Sequence, residues 1–257
     1  MKKLFLTHFF AMFFALNSKA ATIEQTFDVE IGLFDAAKVV ASYAFEGGDY
    51  LFSSTIQTTG LFDKFYTFKS DYMTFGRHNN DSFITRQYHQ TMQSSAHLRT
   101  KSLIFDENGV LKARLSAKDG KSKMVEIRDQ TKSDAYDMQT VLAMLLDRFS
   151  KTGSCNLTKT VFNGKKIYHI TIKDEGKTQI DDTKIPYKGE AYRCSLFIYQ
   201  EKAEKGDLLW QSTAGRHISF YLAKEPQTQM PVLLKTEIAS TPLGTLRAYT
   251  TNIDVRN

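Results

Sequence analysis

Apolar residues alternate with polar ones along most of this chain, and that period of two predicts strands with one buried face. Phe27, Val29, Ile31 and Leu33 alternate with Asp28, Glu30 and Gly32; Val39, Ala41, Tyr43 and Phe45 then share a face before Gly47-Gly48 turns the chain into Tyr50, Phe52 and Ile56. Asn108-Gly109 and Asn163-Gly164 each stand between two strand-like runs, and both residue types tolerate the positive φ that a tight hairpin demands. Further strands are expected at Cys194 to Tyr199, Ile218 to Leu222, Val232 to Ile238 and Leu246 to Ile253, with Pro231, Pro242 and Gly244 as turn residues. Short connections imply antiparallel meanders, because parallel crossovers need a dozen or more residues.

One segment breaks this rhythm. Met138, Val141, Leu142, Leu145, Leu146 and Phe149 follow the i, i+3, i+4, i+7 spacing of an amphipathic helix. The expected helix spans about 134 to 151, with Ser133 or Asp134 as cap, Arg148 and Lys151 near its negative pole and Gly153 as its left-handed stop. Ala143 and Met144 widen the apolar stripe. A helix so apolar must lie on the concave face of a curved sheet or plug the end of a barrel. The expected fold is therefore mainly β: a curved antiparallel sheet or unclosed up-and-down β-barrel wrapped around one buried helix. Gly60 to Phe68 reads equally as a short helix or an aromatic strand. Lys112 to Gln130 reads as polar hairpin, and Lys177 to Lys188 and Glu201 to Gly206 as solvated loops.

The first residues change the picture of where the protein acts. Lys2 and Lys3, the apolar run Leu4 to Leu16 and the triplet Ser18-Lys19-Ala20 have the form of a cleaved secretory signal. The run is shorter than the roughly 20 residues of a spanning helix, so no transmembrane segment is expected after cleavage near Ala20. Residues 21–257 then form a single antiparallel β domain in the periplasm. Without Lys2, Lys3 and Lys19, the 34 basic residues fall to 31 against 28 acidic ones. Lys and Arg are scattered along the sequence, and no nucleic-acid partner is expected. Cys155 and Cys194 are the only two cysteines; in an exported chain they read as a structural disulfide tying the helix exit to a later strand.

Candidate chemistry is sparse. His78, His89, His97, His169 and His217 match no zinc-binding spacing, so no metal is expected. Ser154 lacks the second glycine of G-x-S-x-G and follows a helix, and Gly47-Gly48 lacks the Lys-Ser/Thr of a phosphate loop. Asp181-Asp182 and Asp134 with Asp137 read as solvated acids. No catalytic residue and no cofactor are assigned, and nothing favours an enzyme over a binder. What stands out is apolar: 19 Phe, 12 Tyr and 8 Met in the precursor. A filled core is the simpler account. The sharper one is a cavity between sheet and helix, lined by Met138, Leu142, Leu145 and Phe149 and holding a lipid or another apolar component of the envelope.

Asp137 to Leu146 (DMQTVLAMLL), Ser154 to Thr158 (SCNLT), Val161 to Tyr168 (VFNGKKIY), Tyr187 to Cys194 (YKGEAYRC), Met230 to Lys235 (MPVLLK), Thr241 to Thr245 (TPLGT) and Gly47 to Phe62 (GGDYLFSSTIQTTGLF) occur in an order that resembles the exported proteobacterial family called domain of unknown function thirty-one-zero-eight. The resemblance implies a periplasmic protein of antiparallel strands with no established catalytic residues. By fold analogy it implies an architecture similar to the unclosed barrels of the LolA and LolB group of lipoprotein carriers, which hold acyl chains around a helix. Two further readings stand beside apolar-ligand binding. One is a structural or protein-interaction module that pairs its edge strands with another envelope protein. The other is a hydrolase, which requires His89 or His169 beside a serine or carboxylate in a cleft.

Overall fold

A computed structural model describes residues 21–79, 82–200, 217–241 and 243–256. The expected signal segment 1–20, the expected loop Glu201 to Gly206 and the turn residue Pro242 lie outside the described residues. In chain order the first half contains β1 (Thr22–Ile31), β2 (Phe34–Glu46), β3 (Asp49–Thr58), α1 (Gly60–Phe65), β4 (Phe68–Asn79), β5 (Ser82–Ser94), β6 (Leu98–Phe105), β7 (Leu111–Lys118) and β8 (Lys121–Glu126). Then come α2 (Gln130–Ser133), α3 (Met138–Thr152), β9 (Leu157–Phe162), β10 (Ile167–Ile180), β11 (Gly189–Tyr199), β12 (His217–Lys224), β13 (Pro231–Thr241) and β14 (Gly244–Arg256).

The described strands form one antiparallel sheet of 14, ordered β8-β7-β6-β5-β4-β3-β2-β1-β14-β13-β12-β11-β10-β9. Two meanders are thus joined where β1 pairs with β14. Because every strand pair adds right-handed twist, a sheet this wide must curl. It curls around α3, which packs against β3, β4 and β5 on one side and β9 and β13 on the other. The two end strands, β8 and β9, do not pair with each other, so the barrel is unclosed.

Each free edge is managed differently. Along β9, Tyr136 forms a parallel bridge with Val161: its N–H donates to the Thr160 carbonyl (3.0 Å) and its carbonyl accepts from the Phe162 N–H (2.9 Å). β8 instead carries Lys121 and Lys123, charges that discourage a further strand from adding. The β9–β10 turn also reaches across to the opposite wing. Lys101 Nζ donates to the Asn163 carbonyl at 2.6 Å, and Arg114 donates to the Gly164 carbonyl. Gly164 is required there on two counts: its φ is 90°, and a Cβ would lie 2.7 Å from Lys101 Cδ.

Several boundaries differ from the sequence expectation. The long helix begins at Met138, with Asp137 as its cap, whereas Ser133 closes the separate short helix α2, which Asp129 caps. Asp137 prevails because its carboxylate accepts from the Gln139 and Thr140 amides. Gly153 does end the helix, at φ 68°, with its N–H donating to the Phe149 carbonyl. Leu33 is not a strand residue but the tip of the β1–β2 turn, 98% exposed. Lys177 to Ile180 belong to β10, whose ladder continues past an irregularity at Gly176. The ambiguous stretch from Gly60 resolves into the helix α1.

Cys155 and Cys194 form a disulfide, both residues fully buried, that ties the segment leaving α3 to the middle of β11. Their separation of 39 residues gives a denatured-state constraint of about 4 kcal/mol on the chain-entropy model. The double variant Cys155→Ser/Cys194→Ser should unfold in urea with about 2–4 kcal/mol less stability than the oxidised protein. Equal stability of the two would show that the bond does not clamp the helix exit.

Candidate functional site

The helix enters the sheet through a buried polar socket. Asp137 is 1% exposed, and its side chain sits among strands β4 and β5 and the first turn of α3. Thr74 Oγ1 donates to Asp137 Oδ1 at 2.9 Å, the Gln139 and Thr140 amides donate to the same oxygen at 3.0 and 3.1 Å, and the Thr140 hydroxyl donates to Oδ2. Since Thr140 spends its proton on the carboxylate, it accepts from its neighbours, with Tyr50 Oη at 2.8 Å and Thr85 Oγ1 at 2.9 Å. Gln139 Nε2 donates to Ser54 Oγ on β3 at 3.2 Å. Burial pushes the Asp137 carboxyl above its ordinary value, and the bonds from Thr140, Thr74 and Gln139 draw it part of the way back. The sequence expectation of a solvated acid at Asp137 is therefore overturned: its aqueous shell has been replaced by hydroxyls and amides. Asp181, by contrast, lies exposed in an ion pair with Lys188.

Anchored at that end, α3 does not fill the curl of the sheet. Between it and the strands lies an apolar chamber of about 300 Å³, walled by Phe27, Val39, Tyr43, Phe52, Phe220 and Leu222 and floored by Leu142, Leu145 and Leu146. Gln25 is a polar residue in this wall whose groups are all engaged. Its Nε2 donates to the Leu233 carbonyl (2.9 Å) and its Oε1 accepts from the Leu233 N–H (3.1 Å). It thereby stitches β13 where pairing with β14, which starts at Lys235, has not yet begun. A second chamber of about 390 Å³ lies on the other side of Leu142, lined by Met138, Tyr72, Tyr88, Tyr168 and Lys101 among others. Ser54 and Leu142 line both chambers.

The four helix residues singled out from sequence are thus distributed. Leu142 and Met138, each 36% exposed, face chamber space, and Leu145 forms floor. Phe149 is 0% exposed and packs edge-on against Tyr192, with ring centroids 5.1 Å apart, away from either chamber. Sequence reasoning did not single out Gln25 or Lys101, since neither a lone Gln nor a lone Lys on a strand carries a local signal. Lys101 is held down to about 8 by burial first and by the Arg114 charge second.

Histidine chemistry is arranged on the other side of the strands. His89 Nδ1 lies 2.9 Å from Ser102 Oγ and Nε2 lies 3.2 Å from Thr91 Oγ1, with no carboxylate bonded to either nitrogen. His89 alternates with Tyr88 and Gln90, which line the second chamber, and it lines neither chamber. His169 Nδ1 meets Thr160 Oγ1 at 3.2 Å. Among the described residues no group of three or more His, Cys, Asp or Glu is placed to hold a metal, and no helix is long and apolar enough to cross a membrane.

These features define an antiparallel β-barrel-like protein, unclosed and rolled around a single long helix. The chain belongs to the family described as Protein of unknown function (DUF3108), whose model matches residues 26–251. It is similar to a crystal structure titled as a beta-barrel-like protein of domain of unknown function DUF1849 from Brucella abortus, with a TM-score of 0.57 and 8% identity over 92% of this chain and 98% of that one. At that identity the likeness is one of fold. No curated protein matches the chain.

The socket makes a prediction with a definite sign. An acid raised in the folded state favours folding below its unfolded value and loses that contribution as the pH climbs through the folded value. Asp137→Asn keeps the cap without the charge, so its stability relative to the parent, measured by urea unfolding from pH 4 to 8, should increase with pH. Asp137→Ala should show the same pH trend but lie about 1–3 kcal/mol below Asp137→Asn throughout, because it strands hydroxyls and amides without a partner. A difference for Asp137→Asn that is flat or falling with pH would contradict the buried-acid account.

Proposed function

We propose that this protein is a non-enzymatic binding protein of the cell envelope, exported to the periplasm, that holds a lipid or another apolar ligand between its sheet and α3. The apolar chamber beside Leu142 and Leu145 carries this reading. Its volume of about 300 Å³ falls at the lower end of ligand pockets, and the second chamber extends the accessible space past Leu142. The walls are mainly hydrocarbon and aromatic; Ser54, Thr236 and the Tyr43 hydroxyl are the small polar groups among them and Gln25 is already satisfied, so an apolar guest would displace water at little polar cost. The buried disulfide supports an oxidising compartment. An edge-pairing role in the envelope receives less support, because Tyr136 covers β9 and lysines guard β8.

Leu142→Trp would place an indole where the chambers meet. The neutral fluorescent probe N-phenyl-1-naphthylamine should bind the parent protein and bind Leu142→Trp at least about tenfold more weakly. Native mass spectrometry of the exported protein should also show a co-purified apolar mass that the variant lacks. Overpacking costs about 1–3 kcal/mol, so the variant's folding is checked by circular dichroism. Absence of both probe binding and co-purified mass in the folded parent would reject the proposal.

A further inference from the structure

The scattered basic residues of the sequence are gathered by strand register into one place. On the face of β5 to β8 that also carries Tyr88 and Gln90, Arg99 stands opposite Lys118 and Lys118 opposite Lys121. One row further in, Lys101 stands opposite Ser116 and Ser116 opposite Lys123. Together with Lys165 from the β9–β10 turn, these residues line a cleft of about 420 Å³ whose wall, among the described residues, contains no carboxylate. Like charges set directly across a ladder destabilise it; guarding the β8 edge accounts for Lys121 and Lys123 but not for Arg99 and Lys118 set across from them. The neighbouring acid, Asp119, is bonded to the His97 ring at 2.8 Å and the Leu98 N–H at 3.0 Å, and Lys118 attracts it through space without a direct ion pair. Arg99, Lys118, Lys121 and Lys123 make no ion pair among the described residues.

Position adds to charge. Gln90 and Lys101 line both this cleft and the second chamber, just as Ser54 and Leu142 line both chambers. Walls therefore succeed one another from cationic, through aromatic, to hydrocarbon, which is the polarity profile of an anionic amphiphile laid end to end. We propose that the cleft takes the phosphate, or an equivalent anionic head, of an amphiphile whose chain passes Lys101 and Tyr88 to reach Leu142 and the apolar chamber. This rests on the apolar-ligand reading above and specifies its ligand class. Lys118, Lys121 and Lys123 supply charge to the head, and Lys101, held at the threshold by its bond to the Asn163 carbonyl, faces the junction between head and chain.

The test compares three probes below their micellar concentrations: dodecyl phosphate, dodecyl maltoside and inorganic phosphate, each titrated calorimetrically into the full exported protein. Dodecyl phosphate should bind at least about tenfold tighter than dodecyl maltoside, with inorganic phosphate much weaker than either. The variant Lys118→Gln/Lys121→Gln/Lys123→Gln, which changes exposed side chains, should bring the two chain probes to within about twofold of each other. Leu142→Trp should weaken both chain probes. Equal binding of the two chain probes by the parent, untouched by the lysine substitutions, would overturn this inference and leave the apolar-ligand reading standing. Binding of inorganic phosphate without either chain probe would make the cleft a free-anion site and overturn both. So would an absence of any binding.

Discussion

A carboxylate almost out of reach of water decides where the helix of this protein can sit. Asp137 would be expensive to bury alone; it is tolerated because Thr74, Thr140 and two backbone amides donate hydrogen bonds to it, while Tyr50 and Thr85 hold the Thr140 hydroxyl from behind. All of those donors are used only when the first turn of α3 faces β4 and β5 in one orientation. The other end of the helix is held by the bond between Cys155 and Cys194. With both ends fixed on different wings of the sheet, Leu146, Val141 and Phe149 are pressed into the core, and the stripe bearing Met138 and Leu142 is left facing space that no strand residue fills.

The barrel is unclosed, and its wings meet chiefly through side chains instead of a ladder between β8 and β9. Tyr136 pairs with β9, and Lys101 and Arg114 hold the Asn163-Gly164 turn against β6 and β7. That contact joins the cationic wing to the aromatic chamber. Under the proposed binding role such an arrangement is useful, because a seam closed by side chains can part without breaking the strand pairing that holds the fold together.

The parts of this architecture that depend on local chemistry were legible in the sequence. Asn108-Gly109 and Asn163-Gly164 announced hairpins, the spacing from Met138 to Phe149 announced a helix that must be buried, and two cysteines in a chain with a signal-like start announced a clamp. The stretch from 60 to 100 was not legible, for a physical reason. β4 and β5 turn Ser70, Thr74, Thr85 and Gln90 inward beside Phe83 and Tyr88 and leave Met73 and Phe75 more exposed; Thr74 and Thr85 serve the Asp137 socket, so the usual hydrophobic alternation is interrupted. The helix start was misplaced by a few residues because Ser133 and Asp134 carry the same capping chemistry as Asp137, and only the tertiary socket chooses among them. The cationic row could not be seen at all: Arg99, Lys118 and Lys121 come from three strands and meet only through register.

The central claim is that α3, fixed at Asp137 and behind Cys155, leaves an apolar chamber beside Leu142 and Leu145. Apolar cavities in proteins take up xenon, so crystals of the protein pressurised with xenon test the claim directly. The account predicts a xenon atom bounded by Phe52, Phe220, Leu142 and Leu145, and its loss in Leu142→Trp. Side chains closed over that space, with no xenon bound there in the parent protein, would contradict it.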